Sequence, residues 1–106
     1  MGNTIKKKFD NQCPNWSNDP KFNECFLKTQ KNYLNDVMQA QGFVFLRDVY
    51  MALGLATTKE SCMLGWIKEK DSVNFSYSQI GDTSDFELTF KCYPILDYME
   101  MENGAG

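Results

Sequence analysis

From Asp19 to Gly42 the apolar positions return at steps of three and four. Phe22, Phe26, Thr29, Tyr33, Val37 and Ala40 fall on one face of an α-helix, and Leu27, Leu34 and Met38 widen that stripe. Lys21, Lys28, Lys31, Asn32, Asn35, Asp36 and Gln39 take the opposite side. Asp19 offers a side-chain oxygen as N-cap, and Pro20 suits the first helical position, where its missing N–H is no loss. Gly42 supplies the stop.

Beyond Gly42 the elements shorten. Phe43-Val44-Phe45 reads as a strand or as a lead-in to a second helix over Leu46–Leu53, which Gly54 closes. Thr57 or Thr58 is placed to cap a third short helix over residues 59–64. From Trp66 the period drops to two. Val73, Phe75 and Tyr77 alternate with Asn74, Ser76 and Ser78, and Phe86, Leu88, Phe90 and Cys92 alternate with Glu87, Thr89 and Lys91. Gly81-Asp82-Thr83-Ser84 supplies turn chemistry between them, predicting an antiparallel hairpin, with residues 66–68 as an added strand.

Residues 1–18 are polar apart from Phe9 and Trp16 and predict a flexible arm, pinned to the body at Trp16. Pro94 ends the last strand, a short element follows over 95–99, and residues 100–106 read as a disordered tail. The expected fold class is α+β: a long N-terminal helix, a short helix pair and a small antiparallel sheet in a single domain over 19–99.

Composition supports one packed core, since 42% of the residues are apolar and they include eight Phe, five Tyr and two Trp. The net charge of −3 lacks the basic stripe on which duplex binders depend, and instead suits a partner with a basic surface. No apolar run approaches the ~20 residues of a membrane-spanning helix, and the lysines at 6, 7 and 8 have no apolar stretch behind them, so a cytoplasmic protein is expected.

Candidate chemistry is sparse. The chain has no histidine, which removes the commonest general base, the Ser-His and Cys-His pairs and the commonest zinc ligand. Cys13, Cys25, Cys62 and Cys92 stand far apart and read as free buried thiols, Cys25 and Cys92 on apolar faces, rather than as a metal or redox site. Phosphate-cradling and nucleophile-elbow motifs are missing. The expectation is a protein that is not an enzyme and carries neither metal nor cofactor.

DVYMALGLATTKESCMLGWI, residues 48–67, has the order of a helix-turn-helix, and the hairpin after it would stand as a wing. Its second helix would offer Thr57, Thr58, Lys59 and Ser61 to a DNA groove. That is one cation beside Glu60, a poor set for base edges and phosphates.

Residues 26–67 are similar to a block in small uncharacterised proteins of phages and prophages from Gram-positive gut bacteria. The likeness rests on Asn35-Asp36, the apolar run Phe43-Val44-Phe45, the stretch FLRDVYMALG ending at Gly54, and Gly65-Trp66. What the resemblance implies is a mobile-element origin and a small protein that blocks a host component such as a defence complex. On that reading the chain is an anti-CRISPR-like inhibitor that binds a host protein through Trp66, Asp82, Asp85, Glu87 and Tyr93. Two alternatives stand beside it. One is a winged-helix-like DNA-binding regulator using Thr57, Thr58, Lys59 and Ser61. The other is a homo-oligomeric sponge for a nucleotide signal, which would lean on Arg47 and Lys91.

Overall fold

The alternation that begins at Phe86 builds the longest strand among the described residues, and the rest of the sheet assembles on it. The computed structural model describes residues 3–95. In chain order the elements are β1 (Asn3–Phe9), α1 (Pro20–Gln41), β2 (Phe43–Phe45), α2 (Leu46–Leu53), a 3₁₀ turn (Glu60–Cys62), β3 (Leu64–Ile67), β4 (Phe75–Gln79) and β5 (Phe86–Pro94). All strand pairs are antiparallel. β1 lies along one edge of β5, from Phe9 opposite Phe86 to Asn3 opposite Cys92. The other edge is shared: β4 takes residues 86–90, and β3, with β2 outside it, takes Tyr93 and Pro94. The α+β class is as expected, the described residues forming two helices and a five-stranded antiparallel sheet.

Phe86, Leu88, Phe90 and Cys92 all turn inward and are buried, together with Phe9, Phe75, Val73 and Trp66. Leu27, Leu34 and Met38 of α1 and Leu46, Val49, Tyr50 and Leu53 of α2 complete the same core. Aromatic pairs join the layers. Phe9 of β1 stacks on Phe26 of α1 with centroids 5.6 Å apart, and Tyr50 of α2 meets Phe90 of β5 edge-on at 5.5 Å.

The ends of α1 follow the sequence rules. The Asp19 carboxylate accepts from the Lys21 amide at 3.0 Å, Pro20 opens the helix, and Gly42 closes it in the left-handed region. The buried stripe is rotated from the expected one. It runs through Asn23, Leu27, Leu34 and Met38, while Phe22 and Tyr33 are more than half exposed. The reason is Asn23, which the apolar pattern leaves out: fully buried, it donates to the Ser17 and Ser84 carbonyls, both at 2.8 Å, and accepts from the Ser17 amide at 2.9 Å. Asn23 thus ties the approach to α1 to the β4–β5 turn, and Asn35, whose side-chain oxygen accepts from the Val73 amide at 2.8 Å, ties the helix to the segment before β4, so that the two together hold its rotation.

Three further expectations are corrected. Residues 3–9, assigned to a flexible arm, form β1. Its alternation was hidden because Lys7 occupies an inward position, where it is half-buried with its ammonium 5.7 Å from the centre of the Tyr50 ring. Trp16 does pack against the core. The third helix over 59–64 is only the 3₁₀ turn, and β3 starts at Leu64. Thr58 and Ser61 cap the turn reciprocally, the Ser61 amide donating to Thr58 Oγ1 at 3.1 Å, the Thr58 amide to Ser61 Oγ at 2.9 Å and the Ser61 hydroxyl to the Thr58 carbonyl at 2.6 Å, so a helical start is present but ends after one turn, where β3 begins. Gly65 then admits β2, because a Cβ there would collide with the Val44 carbonyl oxygen and with Phe45 Cα. Finally, Cys25 and Cys62 are exposed, and only Cys13 and Cys92 are buried. The tail and all of the element over 95–99 except Ile95 lie outside the described residues; Ile95 is buried and donates its amide to the Met63 carbonyl at 3.0 Å.

Burial pushes the Cys92 thiol from the usual 9.0 up to about 11 and the Tyr50 phenol up to about 12, with smaller contributions from nearby negative charge. Burial likewise raises Cys13.

Two outcomes follow from this packing. Asn23→Ala strands the Ser17 amide and two carbonyls away from water, so urea unfolding should show a loss of about 2–3 kcal/mol; an unchanged midpoint would remove Asn23 from its central place. The thiols provide the second. Cys25 and Cys62 should react with Ellman's reagent in the native protein, and Cys13 and Cys92 only on unfolding. Because the unfolded chain ionises near the usual values while the folded chain keeps its protons, stability should be full below pH about 9 and fall as pH rises toward 11. Cys92→Val should flatten part of that decline in urea midpoints taken across the range.

Candidate protein-binding surface

The residues expected to form one contact surface are placed in three different settings. Trp66 is fully buried in β3, and its indole N–H donates to the Lys91 carbonyl at 2.7 Å. Tyr93 is half-buried, its hydroxyl accepting from the Ile67 amide at 2.9 Å, with the Lys70 ammonium 5.9 Å from the ring centre. Both are structural: they bridge the place where β4 stops and β3 begins along the same edge of β5.

Asp82 is exposed and Asp85 half-exposed in the turn between β4 and β5, and Glu87 stands near the start of β5. Six residues of extended strand separate Glu87 from Tyr93, a distance of about 20 Å, so acidic tip and aromatic pair do not form one patch. Nor is the sheet's outer face acidic. By the register and the period of two, it carries Thr4, Lys6 and Lys8 from β1, Glu87, Thr89 and Lys91 from β5, and Ser76 and Ser78 from β4. Glu87 lies 3.8 Å from Lys6 in a solvent-exposed ion pair of little energetic weight.

The residues of the DNA-reading alternative are divided too. Thr57, Thr58 and Lys59 are exposed in the segment after α2, whereas Ser61 is fully buried. No second helix stands at residues 59–64 to enter a groove. For the nucleotide-sponge alternative, Arg47 lies on α2 with its guanidinium 5.4 Å from the Phe45 ring centre and 3.7 Å from Asp48, while Lys91 lies on the outer face of β5. They occupy different layers of the fold.

What sequence periodicity missed is a groove between the two helices. Its volume is about 430 Å³, and its walls include Tyr33, Val37 and Gln41 of α1 and Asp48, Met51 and Ala52 of α2. Tyr33 is 56% exposed and Met51 65%, which makes them the two most exposed large apolar side chains among the described residues. Both follow from the local sequence. Asn23 and Asn35 hold α1 so that Tyr33 turns outward from the core, and α2, eight residues long, buries Leu46, Val49, Tyr50 and Leu53 and leaves Met51 on the opposite side. The signal was present in the expected α1 stripe, which was too wide for one buried face.

Its lining is mixed, with Tyr33, Val37, Met51 and Ala52 apolar and Gln41 and Asp48 polar. Asp48 accepts from the Phe45 amide at 3.3 Å, which fixes the start of α2. Such a cleft can hold an apolar side chain or the edge of a helix from another protein. Among the described residues there is no group of three or more His, Cys, Asp or Glu placed to hold a metal ion. No helix among them is long and apolar enough to cross a membrane.

No curated protein and no solved structure matches the chain. A family described only as of unknown function, DUF6353, matches residues 3–99. The match takes in β1, both helices and the whole of the described sheet, far beyond the stretch over 26–67 that carries the sequence resemblance. The chain therefore belongs to the family of unknown function DUF6353.

Proposed function

We propose that this protein is a non-catalytic binding protein that inhibits a host protein inside the cell, in the manner of a phage anti-defence inhibitor. The mobile-element part of this reading comes from the resemblance over residues 26–67. The observation that carries the binding part is the exposure of Tyr33 and Met51 on the facing walls of the helix groove. An aromatic ring with a polar tip and a flexible thioether are the side chains that gain most from being covered by a partner, since each removes apolar area from water at modest entropic loss. The occupant is an apolar segment of the host protein, with polar groups at its margin to meet Gln41 and Asp48.

The contact surface is thus the α1–α2 groove rather than the acidic turn. A purified, tagged chain incubated with host extract should retain a defined partner that Tyr33→Ala/Met51→Lys loses by tenfold or more, while Asp82→Asn/Asp85→Asn retains it. Both groove residues are exposed, so the double variant should unfold within about 1 kcal/mol of wild type. A partner held equally by the groove variant, or lost only with the aspartates, would place the contact elsewhere.

A further inference from the structure

A sheet has lateral edges, and each exposes backbone donors and acceptors that another strand can pair with unless the protein prevents it. Three strands of this sheet present such an edge, and two are defended. β1 carries Lys6, Lys7 and Lys8 in succession, so a second strand of the same kind would bring like charges together. β2 is three residues long and capped by side chains of the helices on either side of it. Gly42 accepts from the Lys68 amide, so the alternation turns Phe43 and Phe45 away from β3. The Phe43 carbonyl then accepts from Gln41 Nε2 at 2.8 Å, and the Phe45 amide donates to Asp48 at 3.3 Å.

β4 has neither defence. The Asn74 carbonyl accepts from the Lys91 amide at 3.2 Å, and the Ile80 amide donates to the Asp85 carbonyl at 2.9 Å. Between those two points the period of two directs Ser76 and Ser78 to β5 and turns the N–H and C=O of Phe75, Tyr77 and Gln79 to the open side. Among the described residues no hydrogen bond reaches those outward groups. The segment Asn74 to Ile80 has no charged residue, no proline and no glycine.

We propose that β4 is a dimerisation edge: two copies of this chain pair β4 with β4, antiparallel about Tyr77, and join their sheets into one. The strand is complementary to itself in that register. Tyr77 meets Tyr77 of the second copy, and Phe75 meets its Gln79, so every outward donor faces an outward acceptor under a two-fold axis. On the outer face Ser76 lies opposite Ser78 of the second copy, and no charge opposes a like charge. Backbone pairing is indifferent to sequence, so what suits this edge to a second copy is its surroundings: Ser76 and Ser78, small and uncharged, meet each other across the axis, and the segment brings no charge, proline or glycine to either side. An edge of five residues is small for a stable interface, so the dimer should form with a dissociation constant on the order of 10–100 μM.

Sedimentation of the wild-type chain from about 1 μM to about 1 mM should show monomer passing to dimer over that range. Ser76→Lys/Ser78→Lys should raise the dissociation constant at least tenfold, and so should Ser76→Glu/Ser78→Glu, because each sets like charges across the axis. An equal mixture of the two variants should recover dimer, now as the mixed species. Both serines are exposed, and a second reading needs no variant. In wild-type protein the amides of Phe75, Tyr77 and Gln79 should exchange with solvent more slowly as concentration rises, while those of Thr4, Lys6 and Lys8 should not respond. A monomer throughout the range would overturn the proposal, as would a dimer that survives the lysine pair or leaves the β4 amides unprotected. Protection of those amides only in a complex with another protein would overturn it too, and would assign the edge to a foreign strand.

Discussion

β5 must have both of its edges satisfied, and one of those edges is served by two strands that do not meet. β4 stops opposite Phe90 and β3 begins opposite Tyr93. The backbone between them is buried with Cys92, where an unpaired carbonyl would be costly. Two side chains close the gap: the Trp66 indole reaches the Lys91 carbonyl, and the Tyr93 hydroxyl takes the Ile67 amide. Besides that bridge, β2 and β3 are held to β5 by the short ladder at Tyr93 and Pro94 and by the Ile95 amide on the Met63 carbonyl, and α2 follows β2 directly. The α2 wall of the helix groove is thus joined through β2 and β3 to this bridge, and through Tyr50 on the Phe90 ring to β5 itself.

Asn23 plays the matching part in the helical layer. A buried amide has one useful orientation when its partners are fixed backbone groups, so its bonds to Ser17 and Ser84, together with the bond Asn35 accepts from Val73, fix how α1 is turned on the sheet. That turn decides which residues of a broadly apolar helix are buried. Leu27, Leu34 and Met38 go in; Phe22 and Tyr33 stay out. The exposed aromatic on the groove wall is thus the consequence of polar contacts made elsewhere on the same helix.

The two surfaces argued for binding are of different chemistry and lie on different layers. The helix groove offers side-chain apolar area, and the β4 edge offers backbone hydrogen bonds. Both are places where the fold leaves unfinished what it finishes elsewhere: other apolar positions of α1 and α2 are covered, and the edges of β1 and β2 are blocked by charge or by side-chain caps.

Where the reason for an element is local, the sequence by itself determined it. The cap at Asp19, the proline at the first helical position and the glycine at 42 set the limits of α1, because each acts on backbone groups within a few residues. The two-residue period set the inward face of β5 in the same way. Tertiary structure decided whatever depended on a distant partner. β1 exists as a strand because β5 is there to pair with it, and its half-buried inward lysine lies with its ammonium over the ring of Tyr50. Trp66 and Tyr93 looked available because large aromatic residues suit interfaces and cores alike, and only their hydrogen-bond partners 25 and 26 residues away separate the two. Ser61 is buried for a local reason, yet whether its segment became helix or turn rested on where β3 had to start. The open edge of β4 is of the same kind: an edge is a property of strand order, and strand order is decided when the chain has folded.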